Sequence, residues 1–190
     1  QQYNIGGNWH TDHSYDQIPA LGSMLYAKEL PKVGGDTLFA GCAAAFDTLS
    51  EGMKSTLRSL RAVHSSRHVF GKSAAIPDDM ADLFGNADKA LQDAEHPVVI
   101  KHPLSGRETL YVNPGFTTRF VGWTEKESNS LLSFLYEHIS RPEHTYRFQW
   151  SKGALAFWDN RATWHLAVND YPGETRLMHR ITIEGEPLEP

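Results

Sequence analysis

Short strand-like runs punctuated by glycine and proline turns recur along this chain, with one strongly amphipathic helix among them, and that pattern removes most architectures from consideration. Residues 24–30 (MLYAKEL) and 36–40 (DTLFA) read as strands joined by a PKVGG turn. Residues 63–70, 97–101 (PVVIK), 109–112 (TLYV), 145–150, 154–158, 163–168 and 176–184 read as further strands. Residues 42–49 and 52–60 predict helices, the second with Met53, Leu57 and Leu60 on one stripe. The strongest helix covers 124–140: Thr124 and Glu127 form a capping box, and Leu131, Leu132, Leu135 and Ile139 supply a buried face. The polar, alanine-rich stretch 72–95 reads as an excursion with a short helix around 78–83. Strands and helices do not alternate, so the expected fold is an antiparallel sandwich or barrel, mainly β, with helices flanking one side.

A chain of 190 residues, 40% of them hydrophobic, suits one domain with its own core, and neither a repeat nor a linker divides it. The net charge of −5 comes from interleaved acidic and basic residues. Without a basic stripe, nothing in the chain matches a phosphate backbone. No apolar run approaches the roughly 18 residues of a membrane span, and no signal peptide is visible, so a cytoplasmic protein with no membrane partner is expected. The single cysteine, Cys42, forbids an internal disulfide and reads as core filler. Dense polar chemistry within a few residues of Gln1, where chains fray, raises the expectation that an N-terminal segment is lacking.

That polar chemistry is Trp9-His10-Thr11-Asp12-His13. In an extended segment, residues two apart share a face, so His10 and Asp12 can aim a nitrogen and an oxygen at one point. His13 falls off that face and is assigned to the surroundings of the site or its substrate pocket. A distant third ligand would complete the two-histidine, one-carboxylate facial arrangement of non-haem iron(II) oxygenases. Residues 158–165 (WDNRATWH) end in such a residue, His165, on a strand-like run. Arg176 follows after a Pro172-Gly173 turn, and a hairpin of the two strands would set it beside His165. A guanidinium there can clasp the far carboxylate of a keto acid. Arg180, at an even offset from Arg176, should point the same way, and two inward arginines call for two bound anions.

Five ordered blocks now stand out: NWHTD, AKELPKVGGDTLFA, HPVVIKHPLSGRETLYVNPGFTTR, WDNRATWH and RLMHRITIEG. From Asn8 to Gly185 the sequence resembles the taurine dioxygenase / 2,4-dichlorophenoxyacetate dioxygenase (TauD/TfdA) family of Fe(II)/2-oxoglutarate-dependent oxygenases. The resemblance implies a double-stranded β-helix, the cupin-like jelly roll, forming a single catalytic oxygenase domain over 1–190. It implies iron(II) on His10, Asp12 and His165, with 2-oxoglutarate and O2 as cosubstrates. Thr37 matches the hydroxyl that meets 2-oxoglutarate beside Arg176. Arg180 matches the arginine receiving the acid head of the substrate, and Phe116 and Phe70 match aromatics of the substrate pocket. The implied activity is a dioxygenase that hydroxylates a small organic acid and yields succinate and CO2. The acid could be a sulfonate, a sulfate ester or an aryloxy or alkyl carboxylate. Residues 5–8 (IGGN) offer no side chain to hold an ammonium group, so taurine itself is not favoured. Related halogenating enzymes lack the carboxylate ligand, and Asp12 therefore points to hydroxylation. A cupin-like metal isomerase or lyase, or a non-catalytic small-acid binding protein, would be the alternatives, and a homo-oligomer is left open.

Overall fold

A computed structural model describes residues 6–70 and 92–190. The helix expected around 78–83 lies outside the described residues. The chain is mainly β with few helices. Its strands are β1 (Gly22–Glu29), β2 (Thr37–Gly41), β3 (Arg61–Ser65), β4 (Asp93–Pro97), β5 (Val99–Lys101) and β6 (Glu108–Leu110), followed by β7 (Thr117–Phe120), β8 (Thr145–Phe148), β9 (Leu155–Asp159), β10 (Thr163–Ala167) and β11 (Leu177–Ile183). The helices are α1 (Cys42–Asp47), α2 (Glu51–Arg58), the four-residue α3 (Arg67–Phe70) and α4 (Glu125–Ile139). The strands form sheets ordered β11-β1-β9, β10-β2-β8 and β4-β3-β7, with β5-β6 as a hairpin, and every pairing is antiparallel. This arrangement is the jelly-roll core expected from the sequence.

Strand alternation gives the β10-β2-β8 sheet two different faces. His165 of β10 pairs with Phe39 of β2, while the adjacent Trp164 pairs with Ala40. Trp164 and Ala40 enter the main core with Phe46 of α1, Leu57 of α2 and Leu132, Leu135 and Ile139 of α4. The Trp164 indole N–H is satisfied by the Val112 carbonyl at 2.8 Å. His165 and Phe39 face the other way, onto Trp158 of β9 at centroid separations of 4.8 and 5.4 Å. One sheet therefore closes the apolar core with one side and lines a polar interior with the other.

Helix α4 starts where expected. The Thr124 hydroxyl accepts from the Glu127 amide, and the Glu127 carboxylate accepts from the Thr124 amide. Cys42 is buried among the α1 core residues, and burial pushes its thiol up to about 12. Among the described residues, no helix is long and apolar enough to cross a membrane.

Three expectations need correction. The strand expected over 63–70 stops at Ser65, whose hydroxyl accepts from the Arg67 amide and turns the chain into α3. Strands β4 and β7 have no counterpart in the sequence reading. Both are short and polar, and both are held by β3, which lies between them. Finally, β10 and β11 do not form a hairpin: β10 pairs with β2, and β11 pairs with β1.

A buried polar layer supports the loop that carries Asp12. The Asn113 amide donates to the Ser14 hydroxyl at 3.0 Å, and the His96 imidazole donates to the Asp16 carbonyl at 3.0 Å. His64 is fully buried against His96 and Tyr111. Burial, reinforced by His96, holds the His64 imidazole well below its ordinary value of 6.5, and burial shifts His96 the same way. The unfolded chain then takes up a proton below about pH 6.5 that the folded chain refuses, so acid destabilises the fold. His64 alone should contribute up to about 1.4 kcal/mol of lost stability per pH unit below that point. Denaturant melts from pH 7.5 to 5 should show this slope and a flatter one in His64→Gln; equal slopes would remove His64 from the account.

Candidate metal centre

Three side chains from two remote segments converge on one point. Ligand-capable atoms of His10, Asp12 and His165 all lie within 4.8 Å of one another. The sequence reading placed His10 and Asp12 on a strand, and here the structure differs. His10 makes only an isolated bridge to His165, and Asp12 and His13 already belong to a turn. That bridge does the positioning: the His10 amide donates to the His165 carbonyl at 3.1 Å, and the His165 amide donates back at 2.9 Å. The two rings consequently sit 4.1 Å apart, centroid to centroid. Thr11 anchors the intervening turn by donating to the Asn160 carbonyl at 2.6 Å.

The donor set is prepared for a cation. His10 Nδ1 donates to the Asn8 carbonyl at 2.8 Å, which leaves the Nε2 lone pair toward the cluster. His10 Nε2 lies 3.7 Å from Asp12 Oδ1, and His165 Nε2 lies 3.6 Å from Asp12 Oδ2. Burial, with His10 close by, lowers the His165 imidazole to about 3, so at neutral pH it is an uncharged ligand. Its buried Nδ1 has no hydrogen-bond partner. Burial works to raise the Asp12 carboxyl, but His165 and Arg180 together overcome it and hold the group well below the usual carboxylate range. One ionised carboxylate and two imidazoles, two of the three residues buried, fit a divalent transition metal.

Around this cluster the structure gathers most of the residues singled out from the sequence. Arg180, on the inward face of β11, touches the Asp12 carboxylate through Nη2 and also donates to Ser23 Oγ at 3.2 Å. Its side chain is 40% exposed. Phe116 stands edge-on to His10 at 6.3 Å and to Tyr15 at 4.8 Å. His13 stays outside the cluster and pairs with Asp16 at 2.9 Å. Phe70 ends α3, and its side chain lies outside the described residues.

Thr37 and Arg176 form a second group beside the first. Thr37 pairs with Ala167 two positions from the Phe39–His165 pair, so all of these share the inward face. The buried Thr37 hydroxyl accepts from the Trp150 indole N–H at 3.0 Å, leaving its own hydrogen free to donate. The Arg176 guanidinium lies over the Trp150 ring at 5.8 Å and donates through Nε to the Gly35 carbonyl at 2.9 Å. Its Nη2 is buried with no partner, and burial lowers the affinity of this guanidinium for its proton. A buried guanidinium N–H without an acceptor, beside a hydroxyl with a hydrogen to give, suits an anion. Arg176 reaches this position by crossing between sheets, not along the hairpin inferred from its spacing.

Trp150, Ser23 and Tyr15 were not marked as site residues by the sequence. Trp150 read as the end of a strand, Ser23 falls just outside the strand expected over 24–30, and neither carries a motif of its own. Close packing leaves a further mark at Gly115, where a Cβ would sit 2.7 Å from the His10 Cβ. Gly115→Ala should therefore crowd His10 and cost about 1–3 kcal/mol in denaturant unfolding; an undisturbed midpoint would mean that the loop yields freely.

Comparison with known proteins places these features in context. The family model described as "Taurine catabolism dioxygenase TauD, TfdA family" matches residues 1–182. An alkylsulfatase of Acinetobacter baylyi is 38% identical over 182 residues, covering 94% of this chain and 57% of that protein. An alpha-ketoglutarate-dependent sulfate ester dioxygenase of Pseudomonas putida is 37% identical over 183 residues, covering 94% of this chain and 60% of that protein. The chain thus spans well under two thirds of the length of these relatives. The crystal structure of AAD-2 in complex with Mn(II) and N-oxalylglycine superposes with a TM-score of 0.83 at 30% identity, covering 96% of this chain and 71% of that one.

Proposed function

Since the chain belongs to the taurine catabolism dioxygenase TauD, TfdA family, we propose that it acts as a 2-oxoglutarate-dependent dioxygenase on a small organic acid, with Fe(II) held by His10, Asp12 and His165. The convergence of these three ligand atoms within 4.8 Å, in a buried pocket, is the observation that carries this reading. A relative solved with Mn(II) and N-oxalylglycine supports a divalent ion at such a centre. Bound with 2-oxoglutarate, Fe(II) supplies the O2 chemistry that replaces a C–H bond by C–OH while the keto acid leaves as succinate and CO2.

The remaining steps belong to the protein's own groups. Arg176 and the Thr37 hydroxyl receive the far carboxylate of 2-oxoglutarate, and Trp150 fixes both by stacking and hydrogen bonding. Arg180, partly exposed yet anchored through Nη2 on Asp12 and Ser23, gives its remaining N–H groups to the acid head of the substrate. Fixing that head selects the carbon that faces the metal. Phe116 and Tyr15 form an apolar wall beside His10 for the rest of the substrate. The alkylsulfatase and the sulfate ester dioxygenase among the relatives favour an alkyl sulfate over taurine. Hydroxylation of the carbon bearing the sulfate oxygen gives an adduct that collapses to an aldehyde and free sulfate. No comparison supports the cupin-like isomerase or the non-catalytic binding protein.

Anaerobic Fe(II) and 2-oxoglutarate should give a metal-to-ligand charge-transfer band, and in air an alkyl sulfate should yield succinate and sulfate in equal amounts. Asp12→Ala should abolish both signals. Arg176→Gln should raise the half-saturating 2-oxoglutarate concentration roughly 10- to 100-fold, as expected for losing hydrogen bonds to a charged group. Turnover that ignores 2-oxoglutarate, or wild-type activity in Asp12→Ala, would refute the proposal.

A further inference from the structure

We propose that Ser23 is a positioning residue of the metal centre: its hydroxyl ties up one Asp12 oxygen and leaves the other free to bind the metal. The inference rests on the iron-site reading above and adds a residue to it.

Ser23 lies on the inward face of β1, between the outward-facing Gly22 and Met24, opposite Trp158 on β9 and Thr182 on β11. It is fully buried. Its Oγ stands 2.8 Å from Asp12 Oδ2 and 3.2 Å from Arg180 Nη2. A hydroxyl has one hydrogen to give, and a guanidinium can only donate. Ser23 must therefore accept from Arg180 and give its hydrogen to Asp12.

Arg180 Nη2 also reaches the same oxygen. Asp12 Oδ2 thus receives two donors, which occupy the two lone pairs of a carboxylate oxygen. Each oxygen lies near one histidine, Oδ1 3.7 Å from His10 Nε2 and Oδ2 3.6 Å from His165 Nε2, but only Oδ1 keeps its lone pairs for a metal. The carboxylate torsion is otherwise broad and nearly two-fold, so nothing intrinsic to aspartate distinguishes the two oxygens. Arg180 alone is a poor lock, because its side chain is 40% exposed and an anionic substrate draws on the same guanidinium. The buried serine is the rigid partner. It holds Asp12 as a one-oxygen ligand, and it holds Arg180 in line while the substrate binds.

Partners that orient a metal ligand generally affect metal affinity by about 10- to 100-fold. Mn(II), which resists air oxidation, is the probe, and calorimetric titration of the protein gives its dissociation constant. Ser23→Ala should bind Mn(II) at least about tenfold more weakly than wild type, and Ser23→Cys, which keeps a weaker donor, should fall between them. Ser128→Ala is the control for loss of a buried hydroxyl elsewhere. Ser128 is fully buried, accepts from the Phe120 amide and donates to the Thr124 carbonyl, remote in sequence from the ligands. It should lower the melting temperature of the metal-free protein and leave the Mn(II) constant unchanged. Wild-type Mn(II) affinity in Ser23→Ala would overturn the inference while leaving the metal site intact. If Ser23→Ala does not melt cooperatively, wild-type affinity in Ser23→Cys overturns it instead. Absence of Mn(II) binding by the wild-type protein, with His10→Ala indistinguishable from it, would sink the metal reading and this inference together.

Discussion

Two backbone hydrogen bonds between His10 and His165 hold this site together. They are an ordinary antiparallel bridge, one pair long, yet they join segments from opposite ends of the chain and set two imidazoles 4.1 Å apart. Side-chain attraction could not do this. Two imidazoles side by side gain little from each other, and a lone carboxylate buried beside them would pay heavily for desolvation. Because the backbone places the rings, the Asp12 charge enters a pocket already supplied with partners. Ser23, Arg180 and the anchored Thr11 then complete the arrangement.

The β10-β2-β8 sheet makes that bridge rigid. Strand β10 is held between its neighbour β2 and the core formed by Trp164 against the helices. A shift by one residue would turn His165 into the apolar core and expose Trp164, so register and metal geometry are the same constraint. Alternation in β2 extends it to Thr37, since Thr37 and Phe39 share the face that His165 uses. Helix packing on one side of a sheet thereby fixes polar chemistry on the other. The polar layer of His64, His96 and Asn113 performs the same service for the loop that carries Asp12.

Much of this was legible in the sequence, and what was not has identifiable causes. His10, Asp12 and His165 stood out because few residue types bind metals, and their order matched a known set of motifs. Helix α4 was readable from its capping box, a purely local signal. Arg176 was singled out for its chemistry, but its position was inferred from the wrong strand pairing. In a sandwich, consecutive strands can belong to opposite sheets, and nothing local to residues 163–184 announces that. Strands β4 and β7 escaped notice because pairing with β3, not their own composition, makes them strands. Ser23 illustrates the deeper limit: a serine on an alternating strand looks the same whether it faces bulk water or a carboxylate.

The central claim is that three side chains, brought together by the fold, bind a single cation. Crystals of the protein soaked with Mn(II) and measured at the manganese absorption edge address it directly. The account requires one dominant anomalous peak within bonding distance of His10 Nε2, His165 Nε2 and the Asp12 carboxylate. A peak at the His138–His144 pair, whose rings lie 5.2 Å apart, with none at this position, or no peak at all, would contradict it.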